Sequence, residues 1–156
     1  MSEEEDVQKG LEEKFAYLRE KIVIKRPRRI FVDVDFDHFG ETFEYVVRHL
    51  GFSELSAMTG IDDVEKMGVI YHLAREGRIV LNLRTHFSRE KPVIKTITEY
   101  FPAADIYERE LEDLFGIKVE GLPPGHRYPL PDDWPQGEHP LRKDWKKPSE
   151  LKEERE

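Results

Sequence analysis

The stretch YERELEDLFG, residues 107–116, sets an arginine among four carboxylates. Its charged residues are Glu108, Arg109, Glu110, Glu112 and Asp113. Such a cluster would suit acid–base catalysis, a metal site, a solvated helix face or a surface read by another protein. Catalysis by a carboxylate pair needs two carboxyls in different environments across a cleft, which neighbours on one helix do not supply. The pattern therefore favours a solvated face, or an interface in which flanking residues such as Glu110 are desolvated.

The spacing of the apolar residues assigns faces to this helix. At roughly 100° per residue, one stripe collects Ala103, Tyr107, Leu111, Leu114 and Phe115. Arg109 and Asp113 lie roughly opposite the stripe, and Glu108 and Glu110 flank it. Because Arg109 and Asp113 are four residues apart, they are expected to pair.

A proline-rich stretch follows the helix. Six of the ten prolines in the chain lie between residues 121 and 147. Proline removes backbone donors and favours extended chain, so the sequence predicts an extended arm rather than a helix or central strand. Trp134 and Trp145 are candidate aromatic anchors, and Arg142 is available for a bidentate carboxylate contact. Arg142 and Lys143 belong to a basic segment, PLRKDWKKP. The simplest interpretation of this segment is a basic surface patch.

Composition excludes several classes of function. The chain of 156 residues has a net charge of −8, which argues against nucleic-acid binding and against an anionic membrane. It contains no cysteine, which removes thiolate metal sites and iron–sulfur ligation. The six histidines are scattered and form no HxxxH or HExxH pattern. An acidic start and the lack of a long apolar run predict a cytoplasmic protein that reaches a membrane only through a partner.

Periodicity and turn residues predict the elements that position these groups. Helices are expected at 3–21, 37–51 and 103–115; Asp37 is the predicted cap of the second, Gly51 its stop, and Gly116 closes the third. Strands are expected at 28–35, 52–60, 66–75 and 78–87. The last two strands are joined by a predicted hairpin turn at Glu76–Gly77. The pattern predicts an α+β fold, a two-layer sandwich of a mainly antiparallel sheet with helices. The predicted domains are an α+β domain at 1–116, an extended partner-wrapping arm at 117–147, and a frayed or disordered charged tail at 148–156.

Two segments in order carry a family resemblance. AADIYERELEDLFGIKVEG, followed by DDWPQGEHPLRKDW, resembles the C subunit, or 30-kilodalton subunit, of respiratory NADH–quinone oxidoreductase (complex I). The family signature has an ERE-x-x-D-x-FG-I helix end and a later PLRKD segment. The resemblance covers roughly residues 62–145. The family usually places a GHP-x-LRR run soon after the GI, and here that text reads EGLPPGHRYPL. The DDWP-x-G-x-HPLRKD form is more similar to relatives in membrane-bound [NiFe]-hydrogenase and formate-hydrogenlyase complexes.

The resemblance implies a subunit that is non-catalytic alone. It would help to assemble the peripheral electron-transfer arm of a membrane-bound respiratory complex. That complex would be hydrogenase-like, ferredoxin-linked or quinone-linked. It implies no cofactor in this chain, with [NiFe] or iron–sulfur centres in partner subunits. The implied partners are the large hydrogenase-like or complex I-like subunit and a neighbouring iron–sulfur subunit, on the cytoplasmic side of the membrane. The charge-rich composition also suits archaeal complexes of this kind. The implied contact residues are Glu108, Arg109, Glu110, Asp113, Trp134, Arg142, Lys143, Asp144 and Trp145.

Two other classes of function stay open at this point. One is a stand-alone hydrolase that uses carboxylates with His126 or His139, which would show activity in the purified chain. The other is a free adaptor whose arm is disordered until it binds. The identity of a co-purifying partner separates the adaptor from a component of a respiratory complex.

Overall fold

A computed structural model of the chain describes residues 1–147. These residues form three α-helices and seven strands. The helices are α1 (Glu3–Lys14), α2 (Phe39–Arg48) and α3 (Ala104–Phe115). The strands are β1 (Ile22–Arg26), β2 (Arg29–Asp33), β3 (Glu54–Asp62), β4 (Lys66–Arg75), β5 (Ile79–Ser88), β6 (Val93–Lys95) and β7 (Lys118–Glu120). The predicted α+β class with a mainly antiparallel sheet is confirmed, whereas the two-layer arrangement stays a prediction. The predicted tail at 148–156 lies outside the described residues.

The five long strands form one mixed sheet in the order β1-β2-β5-β4-β3. β1 and β2 are an antiparallel hairpin in which Ile22 pairs with Val32. β2 and β5 are parallel, with Ile30 beside Leu81. The short connections between β3, β4 and β5 allow only antiparallel pairing of those neighbours. Within this sheet, the parallel pairing of β2 with β5 is the feature that periodicity in the sequence does not reveal.

The first predicted helix is too long. α1 ends at Lys14, a single 3-10 turn follows at Ala16–Leu18, and residues 22–26 form β1. The run IVI is β-branched and favours a strand, and its pairing with β2 outweighs the helical spacing that precedes it. The sequence therefore predicted the start of this helix better than its end.

The start of α2 also differs from its prediction. The helix begins at Phe39, its N-cap is His38, and Asp37 lies in a preceding 3-10 turn, so Asp37 is not the cap. Gly51 has φ +75°, as its predicted left-handed stop requires. The hairpin turn is confirmed as well, since Glu76 and Gly77 both have positive φ, 51° and 61°.

The chain divides into two compact units. The first consists of Met1–Ile61 and Gly68–Phe87, and the second of Asp62–Met67 and the chain from Ser88 onward. In the first unit, buried residues alternate along β2 but run consecutively in β4 and β5, and others lie on α2; examples are Ile30, Leu81 and Phe43. The predicted domain boundaries at 116 and 117 stay a prediction.

The second unit contains α3, a two-stranded parallel sheet of β6 and β7, and the proline-rich stretch. Val93 pairs with Lys118 and Ile94 with Val119. These two short strands were not predicted, because three residues each are too few to show a period. From residue 121 to residue 147 the described chain contains no helix or strand, which agrees with its proline content.

Candidate functional site

Helix α3 is buried on two sides, and its apolar residues predict only one of them. Ala104, Glu108 and Leu111 share the first buried side, which is rotated from the predicted stripe, since Ala103 is exposed and Tyr107 is only half-buried. Asp113, about 200° around the helix from Leu111, is buried on the other side. A carboxylate, Glu108, occupies a position that hydrophobicity reserves for an apolar side chain.

Glu108 is completely buried and is held by uncharged donors. The hydroxyl of Thr96 donates to Oε2 at 2.6 Å, and the backbone amide of Ile97 donates to Oε1 at 2.7 Å. Burial raises the pKa of the Glu108 carboxyl, which favours its protonated form. The same stretch continues the β6–β7 pairing, since the amide of Thr96 donates to the carbonyl of Glu120 at 2.8 Å. Glu108 therefore ties α3 to the strand end beside it.

Arg109 contacts the arm rather than the residue predicted as its partner. Its Nε lies 2.5 Å from Oδ1 of Asp105, and its Nη2 donates to the carbonyl of Pro123. Gly125 packs against the guanidinium so closely that a Cβ there would lie 2.7 Å from Nη2. The predicted Arg109–Asp113 pair does not form, because Asp105 and the arm occupy the guanidinium.

Asp113 is the second anchor of the arm. It lies 3.2 Å from Nε of Arg127 and accepts a hydrogen bond from the amide of Leu130 at 3.1 Å. Arg127 in turn donates to the carbonyl of Trp134 at 2.9 Å. One helix carboxylate therefore fixes the path of the arm between residues 127 and 134.

Residues 139–141, the HPL segment, contact the last turn of α3. Nδ1 of His139 donates to the carbonyl of Asp113 at 2.8 Å, and the amide of Leu141 donates to the carbonyl of Leu114 at 2.9 Å. These carbonyls belong to the last turn and have no partner within the helix. Gly116, at φ +69°, leaves room for the imidazole, since a Cβ there would lie 2.6 Å from Cδ2 of His139. The arm therefore caps the helix.

The two tryptophans meet within the arm. Their ring centroids are 6.1 Å apart at an interplanar angle of 33°. Nε1 of Trp134 donates to the carbonyl of Glu138 at 2.8 Å, and Nε1 of Trp145 donates to the carboxylate of Glu138. Both predicted aromatic anchors are half-buried within their own unit.

A further anchor, Asp62, was missed from the sequence because it stands in an ordinary turn, GIDDVEKMG. Its carboxylate, 2% exposed, accepts hydrogen bonds from Arg89, from the amide of Val64 at 2.9 Å and from the amide of Lys143 at 2.7 Å. Arg89 also lies 3.0 Å from Asp144. The Arg89 guanidinium holds the pKa of Asp62 well below its usual range.

Arg142 and Asp144 complete this network. Arg142 makes two hydrogen bonds to Asp144, at 3.0 and 3.1 Å. These bonds, together with Arg89, lower the pKa of Asp144 to about 2. We use the name Asp62 latch for one set of groups: the side chains of Asp62, Arg89, Asp144 and Arg142, and the backbone amide of Lys143. The charges alternate in sign along it, so each carboxylate contacts a guanidinium.

Among the predicted contact residues, most side chains are therefore engaged within the second unit. Lys143 has an exposed side chain, and Glu110 is half-buried. Two apolar residues of the arm outside the predicted contact set, Leu141 and Tyr128, are 51% and 44% exposed. Their exposure is a tertiary property with no signal in a linear motif. The predicted contact residues that hold the arm or the helix are Glu108, Arg109, Asp113, Trp134, Arg142, Asp144 and Trp145.

The histidines and carboxylates do not gather into a metal centre. Within residues 1–147, no three His, Cys, Asp or Glu side chains lie together as a metal site would require. The His72 imidazole is hydrogen-bonded at both nitrogens, with Nδ1 2.6 Å from Oδ1 of Asn82 and Nε2 2.8 Å from Oγ1 of Thr59. Over the same described residues, no helix has the length and apolar character that crossing a bilayer demands.

Known proteins similar to this chain include components of several respiratory enzymes. The C subunit of the F(420)H(2) dehydrogenase of Methanosarcina mazei is 35% identical over 125 residues, 78% of each protein. Hydrogenase-4 component G of Escherichia coli is 35% identical over 127 residues, which are 76% of this chain and 22% of that protein. Formate hydrogenlyase subunit 5 of the same organism is 34% identical over 121 residues, 74% of this chain and 21% of that protein.

Solved structures show the same fold. A chain in the structure of the membrane-bound sulfane sulfur reductase, an archaeal respiratory membrane complex, superimposes with a TM-score of 0.83 at 25% identity, covering 98% of this chain and 91% of that one. A trypsin-resistant fragment of Nqo5 gives 0.62 at 26% identity, covering 74% and 98%. The family model for the respiratory-chain NADH dehydrogenase 30 Kd subunit matches residues 32–150. The chain therefore belongs to the family of the 30-kilodalton, or C, subunit of complex I, whose members include components of hydrogenase complexes.

Proposed function

We propose that this chain is a non-catalytic C subunit of a membrane-bound, complex I-like respiratory complex. In this role it docks on the hydrogenase-like large subunit and stabilises the peripheral electron-transfer arm. Membership of the family and similarity to hydrogenase-4 component G and formate hydrogenlyase subunit 5 support the hydrogenase-like branch. The chain has no cysteine to ligate an iron–sulfur or [NiFe] centre, so the proposal assigns these centres to the partner subunits.

The observation that carries this proposal is a relative with two subunits in one chain. The fused C/D subunit of the NADH-quinone oxidoreductase of Phocaeicola vulgatus is 40% identical over 103 residues, 63% of this chain and 19% of that protein. A covalent link between C and D parts keeps them at high effective concentration, which is useful only when the two parts contact each other. The large D-type subunit is therefore the proposed direct partner, and a neighbouring iron–sulfur subunit is the second.

The geometry of the second unit divides the proposed contact residues into two groups. Residues engaged with the arm, such as Arg109, Asp113 and Asp144, support the docking surface from within. Lys143 and its apolar neighbour Leu141 present exposed side chains, and we assign the direct contacts to them. Membrane attachment is indirect in this proposal, through the other subunits, on the cytoplasmic side.

Co-purification tests the proposal. The tagged chain is co-expressed with the D-type large subunit of its source organism, and recovery of the large subunit is measured. Leu141→Ala with Lys143→Ala should reduce recovery by tenfold or more, because a few central residues carry most of the binding energy of an interface. Val23→Ala with Lys25→Ala is a matched control, since Val23 is also 51% exposed and lies close to a surface lysine.

Two results would contradict the proposal or its assigned contacts. If the wild-type chain recovers no large subunit, or recovers an unrelated protein instead, the docking role is wrong and a free adaptor is supported. Equal losses in the Leu141/Lys143 and Val23/Lys25 variants would leave the docking role in place but remove the assigned contact residues.

A further inference from the structure

We propose that Asp62 and Arg89 are positioning residues for partner binding: they hold residues 142–144 so that the side chains of Leu141 and Lys143 are presented outward. This inference rests on the proposed function, because it concerns how the chain binds the large subunit. It adds a role for two residues that lie far from the family motif in sequence.

The contacts of the latch fix both the backbone and the side chains of this segment. Asp62 accepts the amide of Lys143 at 2.7 Å, which locates the backbone at that residue. Arg89 bridges Asp62 and Asp144, and Arg142 pairs with Asp144 on the other side. Asp62 and Arg89 are both largely buried, with side chains 2% and 15% exposed. Ionic contacts that are shielded in this way are less screened by salt than surface pairs.

The latch leaves a specific pair of side chains uncovered. The Leu141 amide is bonded to the Leu114 carbonyl, and the Lys143 amide to Asp62, so both backbones are fixed. The Leu141 side chain is nevertheless 51% exposed, and that of Lys143 is also exposed. A leucine held rigidly at a surface is a ready interface anchor, because little further entropy is lost when it is buried.

The chemistry of this pair defines the partner surface. Lys143 is followed by Lys146 and Lys147, in a chain whose net charge is −8. This segment is thus a local basic exception in an acidic protein, and it complements carboxylates. We infer that the large subunit offers an apolar recess for Leu141, bordered by acidic side chains that face Lys143.

Hydrogen exchange of the isolated chain tests whether the latch holds the segment before the partner arrives. The Lys143 amide should exchange at least tenfold more slowly than in Asp62→Asn, which loses the charge but keeps the shape. Asp33→Asn is the control, because Asp33 also pairs with an arginine, Arg84, at a surface position. Exchange of the wild-type amide at the rate of an unstructured peptide would overturn the inference.

Affinity for the large subunit tests the positioning role. Asp62→Asn should weaken binding about tenfold, as expected if the binding-competent arrangement falls to about a tenth of the population. Leu141→Ala should then cost much less in the Asp62→Asn background than in the wild type, because a displaced leucine contributes little. Arg89→Gln, which retains the amide contacts of Asp62, should reproduce the effect if Asp62→Asn folds poorly.

The outcomes separate this inference from the proposed function. Equal costs of Leu141→Ala in both backgrounds, or unchanged affinity in Asp62→Asn and Arg89→Gln, would remove the positioning role while docking itself stands. Failure of the wild-type chain to bind the large subunit would overturn the proposed function and the positioning role together. In that event hydrogen exchange would still decide whether the segment is held.

Discussion

Asp62 and Glu108 are two buried carboxylates of the same unit that have opposite electrostatic surroundings. Asp62 faces a guanidinium and two backbone amides, and its pKa is lowered, mainly by the hydrogen bonds from Arg89. Glu108 faces a hydroxyl and one amide, and its pKa is raised, mainly by burial. At Glu108 burial raises the pKa more than the hydrogen bonds from Thr96 and Ile97 lower it. At Asp62 the hydrogen bonds from the Arg89 guanidinium lower the pKa more than burial raises it.

The difference also separates their structural tasks. Asp62 holds residues 142–144 of the arm by charge. It lies outside both the helix motif at the end of α3 and the PLRKD segment, so the family motifs do not predict this role. Glu108 holds the start of α3 against residues 96–97 by hydrogen bonds that need no charge. Changes at the two carboxylates, in pH and in the turn before β4 test this contrast.

Removing the Asp62 carboxylate should be the most damaging change. Asp62→Ala is expected to lower the free energy of unfolding by about 3 kcal/mol, because it strands the amides of Val64 and Lys143 and deprives Arg89 of a partner. Urea denaturation monitored by tryptophan fluorescence measures the loss, since Trp145 lies two residues from Lys143. A loss below that of the surface variant Asp33→Ala would refute the importance given to the latch.

Glu108 should tolerate loss of charge but not loss of shape. Glu108→Ala is expected to cost about 2 kcal/mol, because it leaves the Ile97 amide unsatisfied and opens a cavity. Glu108→Gln should cost less than about 1 kcal/mol, since its oxygen and amide nitrogen can replace both hydrogen bonds. Thermal unfolding at pH 7 compares the two. A large loss in the glutamine variant would mean that the ionised form is needed.

The two sites should respond to pH in opposite directions. Asp62 and Asp144 have lowered pKa values in the folded chain, about 2 for Asp144, so their stabilisation is complete above about pH 4 and is lost toward pH 2. Glu108 has a raised pKa, so its contribution is complete below about pH 4.3 and is lost as pH rises through the folded value.

Denaturation of three proteins between pH 2 and pH 8 measures this contrast. The gap between wild type and Asp62→Asn should close as pH falls below about 4. Glu108→Gln should gain stability relative to wild type as pH rises above about 4.3. Parallel curves for all three proteins would show that neither carboxylate titrates differently on folding.

The smallest effect concerns the turn that presents Asp62. Val64 is β-branched yet has φ +70°, a conformation that favours glycine. Val64→Gly should stabilise the chain by about 0.5–1 kcal/mol, because relief of strain exceeds the added entropy of the unfolded glycine. Glu76→Gly, at φ 51° in the other hairpin turn, is the matched control and should gain less. Melting temperatures would compare them, and a destabilised Val64→Gly would refute the strain.

Sequence patterns predicted the elements whose signals are local. The hairpin turn at Glu76–Gly77, the bounds of β4, and the end of α3 at Gly116 all follow from glycine, strand alternation and helical spacing. The end of α1 and strand β1 did not follow, because there the pairing of β1 with β2 outweighs the helical spacing that precedes it. Asp37 was predicted to cap α2, but it lies in a 3-10 turn that precedes the helix.

The candidate site was predicted by residue type but not by role. Glu108, Arg109 and Asp113 stood out through charge density, yet their partners, Thr96, Pro123 and Arg127, lie 12 to 14 residues away in the chain. The predicted stripe was built on Ala103 and Tyr107, whereas the buried side contains Ala104 and Glu108, so Glu108 was placed on the flank although it is fully buried. Charge in a sequence cannot report burial, because burial depends on what packs over the helix.

By itself the sequence determined the α+β class, the helix that ends at Gly116, the non-helical arm and the family, since each depends on residue type and spacing along the chain. Folding determines which charged side chains are engaged within the chain and which are exposed, as Asp113 and Lys143 show. Asp62 and Lys143 are 81 residues apart and meet at one hydrogen bond. The physical reason is that a carboxylate takes its pKa, exposure and role from neighbours that folding brings to it.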